Sequence, residues 1–213
     1  MIIVAIVAAL VAALLIADRV ALIYAEERVA RRIGDRGFRT KPHVSIAGFP
    51  FLTQVAARRL NKVVVSATGR KLGPVEVKRL DVILYGIRVS SSYHTSTASQ
   101  LCGTALVGFA SLAGMAGLPG LTAAADSPDR VKITAGPGQG TGIATARVTP
   151  AGPRGIRLVV ISASGIPMAA LGSLREITLP LPALPRGTTV QDVSITGQGV
   201  LVHFAGQNVS FGS

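Results

Sequence analysis

The sequence predicts an antiparallel α+β domain carried behind an N-terminal membrane anchor. Three observations predict it. Residues 2–17 form an unbroken apolar run of sixteen. From residue 62 onward, short segments rich in β-branched residues alternate with Gly- and Pro-containing breaks, the pattern of strands joined by hairpins. One of the longer segments changes the phase of its alternation, which marks a β-bulge in a long, bent strand. Bent strands that are apolar on one face imply a strongly curved sheet wrapped around helices. The domain division is therefore residues 1–19 as anchor and 20–213 as a single α+β domain.

At ~1.5 Å per residue the apolar run spans roughly 24 Å, short of a ~30 Å hydrocarbon core. Asp18 and Arg19 interrupt it before Val20-Ala-Leu-Ile-Tyr24, and suit an interfacial position with snorkelling side chains. A signal anchor is the expectation, with a cleaved signal segment the competing one. No Lys or Arg precedes the run, whereas Arg19, Arg28, Arg31 and Arg32 follow it. Counting by the positive-inside rule would leave the domain in the cytoplasm.

Residues 21–36 read as an amphipathic helix with Leu22, Ala25, Val29 and Ile33 on the inner face, ended by Gly34 or Gly37. A strand follows at 43–47. Gly48-Phe-Pro50 is a turn, and residues 51–60 a short helix with Leu52, Val55, Ala56 and Leu60 inward and Gln54, Arg58 and Arg59 elsewhere. Strands are expected at 62–68 and 75–89, the second shifting phase at Lys78–Arg79. Residues 104–116 are rich in small residues and read as a helix, and 118–122 as a loop. Further strands fall at 130–135, 143–149, 155–163, 177–179, 190–196 and 199–205.

Composition narrows function. Twenty-two Lys+Arg against ten Asp+Glu give a net charge of +12, which favours polyanions such as nucleic acid or anionic lipid. Aromatic residues are 4% with no Trp, and no nucleic-acid reading motif is present, so a nucleic-acid partner is not expected. A single cysteine, Cys102, excludes an internal disulfide framework or a Cys-rich metal site. Gly136 to Gly142 lacks the spacing of a phosphate loop and reads as a hairpin turn. His43, His94 and His203 stand apart, and the ten acidic residues show no metal-like spacing. The chain is read as non-enzymatic, without cofactor or metal.

The most specific text is Val44-Ser-Ile-Ala-Gly-Phe-Pro-Phe-Leu-Thr-Gln-Val55. With Lys62-Val-Val-Val-Ser-Ala67, Leu80-Asp-Val-Ile-Leu-Tyr-Gly-Ile87, Ala17-Asp-Arg-Val20, Ala25-Glu-Glu-Arg-Val-Ala30, Leu184-Pro-Arg-Gly187 and Gly197-Gln-Gly199, it resembles the LmeA-like family of actinobacterial envelope proteins. The resemblance implies a fold similar to the tubular lipid-binding domains of the bactericidal/permeability-increasing type, a curved sheet around one long helix enclosing an apolar cavity. It also implies phospholipid binding on the extracytoplasmic side of the cytoplasmic membrane and a link to maturation of mannosylated envelope lipids. A sheet with few large aromatics to fill it fits an open apolar groove. Phe49, Phe51, Leu52 and Val55 are the candidate rim or wall, and Arg58 and Arg59 the candidate holders of an anionic headgroup. The alternative is an envelope scaffold with a closed core and a protein partner.

Overall fold

A computed structural model describes residues 1–35, 37–72, 75–90, 95–111, 121–134, 142–165, 172, 175–181 and 184–212. A single helix, α1 (Ile2–Gly34), precedes β1 (His43–Ala47), the short helix α2 (Phe51–Ala56) and three long strands. The strands are β2 (Arg59–Leu72), β3 (Val75–Val89) and β4 (Thr95–Val107). Then come β5 (Thr122–Ser127), β6 (Arg130–Thr134), β7 (Ile143–Pro150), β8 (Gly155–Ser164) and β9 (Glu176–Pro180). The chain closes with β10 (Arg186–Thr196) and β11 (Gly199–Gly212). Every pairing is antiparallel, in one sheet ordered β1-β2-β3-β4-β11-β10 and a second ordered β5-β6-β7-β8-β9. Neither sheet closes into a barrel.

The two sheets share a core. Val131, Val148, Ile156, Leu158 and Leu179 of the second meet Val107, Val190, Val193, Ile195, Val200 and Val202 of the first. Backbone bonds tie the sheets as well, Val190 N–H donating to Pro153 O (2.9 Å) and Ile195 N–H to Pro128 O (2.7 Å). At the other end of the first sheet, Ala30 of α1 and Phe51 of α2 are buried with Val44, Ile46, Val63, Ile87 and Ala98.

The phase change read at Lys78–Arg79 is a bulge: the β3–β4 register slips between Val77 and Arg79. The slip keeps Val77 and Leu80, three residues apart, in the same core. A second line, without a register shift, crosses the sheet. Gly86 (φ +58°) and Asn208 (φ +51°) both lie opposite Ser99 of β4. On either side of it Leu84 and Ile87, again three apart, reach the same core. An L-residue at Gly86 would place its Cβ on the Ser99 hydroxyl, so glycine holds the turn of the strand there.

Three local expectations are corrected. First, α1 is one continuous helix of 33 residues, without a break at Asp18. It turns Ala30 rather than Val29 onto the sheet, Val29 being exposed. The small side chain lets β1 approach, and Glu26, one turn earlier on that side, accepts the Ile46 N–H at 2.7 Å.

Second, α2 ends at Ala56 instead of running to residue 60. Arg58 adopts φ +52°, which no helix continues, and Val89 N–H already donates to its carbonyl, starting the β2–β3 ladder. The inward face also differs, with Phe51 and Gln54 buried and Leu52 and Val55 exposed.

Third, residues 104–107, read as helix, lie in β4 between β3 and β11. Just before them, Gly103 leaves room for the ring of Phe204. Residues 112–116 of that expected helix, much of the 136–142 turn, and His94 lie outside the described residues.

Candidate functional site

The candidate residues gather where α1 runs into the domain. Residues 2–17 make no buried contact, whereas Ala21, Leu22, Ala25 and Ile33 of the same helix pack on the core at the β1 end of the first sheet. Between these two stretches stands Asp18, 3% exposed. Its Oδ1 accepts the Leu52 N–H at 2.8 Å, a bond spanning 34 residues. The first N–H groups of a helix lack intrahelical partners, and Pro50, at the N-cap of α2, supplies no side-chain cap. Asp18 performs that function from another helix. Its side chain is therefore buried against α2 rather than snorkelling to water as its neighbourhood in the sequence predicts. Gln54 secures the other end of α2, its Oε1 accepting the Asn61 N–H at 3.0 Å.

With α2 held this way, five of the six residues singled out from the sequence remain on the surface. Phe49, Leu52 and Val55 are 56%, 40% and 43% exposed, and Arg58 and Arg59 are exposed beside them. Phe51 alone turns inward, into the core under α2. The Arg19 guanidinium lies 5.0 Å from the centroid of the Phe49 ring. Such a contact contributes ~0.5–1 kcal/mol at an exposed site and holds the ring on the α1 side of the turn.

The β2–β3 hairpin adds a cation that sequence reasoning missed. Arg59 pairs in register with Arg88. Like charges directly opposite each other on neighbouring strands destabilise the pair, and neither arginine meets a carboxylate among the described residues. The hairpin register carries this signal: once Val63 is set opposite Leu84, Arg59 falls opposite Arg88. At this end of the hairpin the exposed surface carries the three apolar side chains of the 49–55 segment and the cations Arg58, Arg59 and Arg88. Chemically it suits an amphiphile with an anionic group at one end.

Further along α1, Tyr24, Glu27, Arg28 and Arg31 line a shallow groove of ≈ 230 Å³. Arg28 donates to the Tyr24 hydroxyl at 3.2 Å, and Glu27 joins Lys41 (2.6 Å) and Arg31 (3.2 Å). His43 and His203 lie in β1 and β11, as the strand pattern predicts. Cys102 is a half-buried free thiol in β4. Among the described residues no group of three or more His, Cys, Asp or Glu is placed to hold a metal ion.

A family model described as LmeA-like phospholipid-binding matches residues 16–205. No curated protein and no solved structure matches the chain.

Proposed function

The chain belongs to the LmeA-like phospholipid-binding family, and we propose that it is a membrane-anchored protein that binds phospholipid at the junction of α1, α2 and the β2–β3 hairpin. The observation that carries this reading is the exposure of Phe49, Leu52 and Val55, followed in the chain by exposed Arg58 and Arg59, where a long apolar helix joins the domain. Acyl chains lie along the three apolar side chains, gaining ~0.8 kcal/mol per buried methylene. The phosphate sits between Arg59 and Arg88, relieving their mutual repulsion, with Arg58 beside it. Phe51 serves from below, fixing α2 to the core.

Residues 1–19 and the first turns after them anchor the protein as a single-pass segment, and residues 20–213 act as one binding domain. The domain lies on the extracytoplasmic side, as the resemblance of the Gly48-Phe-Pro-Phe-Leu52 block to envelope proteins implies. A role in lipid transfer or envelope glycolipid maturation follows from the same resemblance. Binding without chemistry is the proposed activity. A topology reporter fused at the C-terminus tests the orientation, cytoplasmic activity of the reporter being the contrary result.

Native mass spectrometry of the full-length chain released from detergent micelles, followed by lipid extraction, tests the binding. Discrete adducts of phospholipid mass are expected, weakened by Arg59→Ala together with Arg88→Ala. A mass that stays free of adducts after mixing with anionic phospholipid would turn the reading toward an envelope scaffold with a protein partner.

A further inference from the structure

The apolar surface of α1 does not end at Asp18. Val20, Ile23 and Tyr24 are 61%, 62% and 63% exposed, as bare as the anchor itself. Counted from Ile2 to Tyr24, the apolar helix is ~34 Å long, against the roughly 24 Å that stops at Ala17 and the ~30 Å of a hydrocarbon core. Tyr24, with its hydroxyl held by Arg28 at 3.2 Å, has the composition of an interfacial belt. Arg31, Arg32 and Lys41 follow.

Both charges near the Tyr24 end of this span meet a group of the domain. Asp18 is buried and spends one carboxylate oxygen on the Leu52 N–H. Arg19 lies over Phe49. Leu52 is thus fixed at the level of Asp18, six residues or ~9 Å down the helix axis from Tyr24. Phe49, Leu52 and Val55 are then exposed at a depth where the surrounding medium is lipid. Backbone donors left open in that medium cost several kcal/mol each, which gives a physical reason for a helix cap delivered by a buried aspartate.

From these positions we infer that the bilayer surface crosses the protein at Tyr24 to Arg28, and that residues 48–56 are immersed as a finger among the headgroups and upper acyl chains of a phospholipid bilayer. The partner of the exposed face of α2 is the membrane itself. This rests on α1 being the anchor, and it does not depend on a lipid molecule being retained by the isolated protein.

The chain contains no Trp, so single substitutions report without background. Leu10→Trp in the anchor, Phe49→Trp on the finger and Ile161→Trp on the second sheet are compared in the full-length chain reconstituted in phosphatidylcholine/phosphatidylglycerol vesicles, with and without lipids brominated on their acyl chains. Blue-shifted emission and quenching by brominated lipid are expected for Leu10→Trp and Phe49→Trp, and neither for Ile161→Trp. Quenching at Leu10→Trp with water-like, unquenched emission at Phe49→Trp would overturn the immersion and leave the anchor standing. Blue-shifted but unquenched emission at Phe49→Trp would also overturn it, assigning the face to a second copy of the chain. Loss of quenching at both positions would remove the anchor reading, and the immersion with it.

Discussion

Removing the Asp18 carboxylate isolates the bond that ties the start of α2 to α1. In Asp18→Ala the Leu52 N–H loses its acceptor, and no side chain of the turn replaces it. A hydrogen bond to a charged acceptor contributes ~1.5–3 kcal/mol. Part of that is offset, because the second carboxylate oxygen, Oδ2, is buried without a partner and its desolvation is relieved when it is removed. The net cost is ~1–2 kcal/mol, a factor of about 5–30 in the opening equilibrium of α2. Phe51 and Gln54 are the buried side chains of this six-residue helix, so the loss is expected as local opening rather than global unfolding.

Hydrogen exchange followed by mass spectrometry on the full-length chain in nanodiscs reads it directly. Amides of residues 51–56 exchange ~5–30-fold faster in Asp18→Ala, while β7 and β8 keep their protection. Asp18→Asn retains the acceptor oxygen and stays within ~1 kcal/mol of the unsubstituted protein. Unchanged protection of α2 in Asp18→Ala would refute the reasoning. So would an Asp18→Asn variant as open as the alanine variant, since the bond would then not be the cause.

Other consequences are equally open to measurement. Arg88→Glu should act with opposite signs on two quantities. Pairing with Arg59 should raise stability by ~0.2–1 kcal/mol in chemical denaturation, while binding to anionic vesicles weakens by at least ~1 kcal/mol, about fivefold. Weakened folding, or unchanged vesicle affinity, would contradict the assignment of this pair to an anion. Gly199 (φ +152°) sits against the Val107 carbonyl, where a Cβ meets backbone. Gly199→Ala should therefore cost ~2–4 kcal/mol in denaturant midpoint analysis, against ~1 for Gly152→Ala, whose Cβ meets open space. Ile156→Ala, at a fully buried position between the sheets, should cost ~2–5 kcal/mol.

Asp129 gives a pH signature. The Ser127 hydroxyl (2.8 Å) is the main group that holds its carboxyl below the ordinary 3.8; burial opposes it, and Arg130 and then Arg147 add smaller lowering effects. A depressed folded-state pKa contributes stability above the unfolded value and loses it as pH falls through the lower folded value. Exchange protection of β6 and β7 should therefore decline on acidification below about pH 3.8, and Asp129→Asn should abolish that dependence. A decline centred above pH 5 would point to another group.

Parts of both sheets are legible in the sequence because their signals are local. The β3 bulge shows as a broken alternation at Lys78–Arg79, and β6 to β8 are separated by turn residues. Residues 104–107 are harder: Thr, Ala, Leu and Val give no decisive period, and what makes them strand is pairing with β3 on one side and with β11, from the far end of the chain, on the other. The end of α2 depends on a positive φ at Arg58, a residue type that does not announce one. The face that α2 buries is set by acceptors outside it, Asp18 above all, so helical periodicity alone assigns it backwards. For the candidate site the sequence singles out residues 49–59 through the Gly-Phe-Pro-Phe-Leu block, and the structure places Phe49, Leu52, Val55, Arg58 and Arg59 on the surface and Phe51 in the core. Arg88 escaped because its partnership with Arg59 exists only in the register of the hairpin.

The most direct test of lipid binding at this junction is photo-crosslinking in vesicles, using the full-length chain and a phospholipid carrying a diazirine near its headgroup, with sites mapped by peptide mass spectrometry. Crosslinks concentrated in residues 48–59 and around Arg88, and reduced in the Arg59→Ala/Arg88→Ala double variant, are the expected result. Labelling confined to residues 2–17, or spread over the second sheet, would contradict the account.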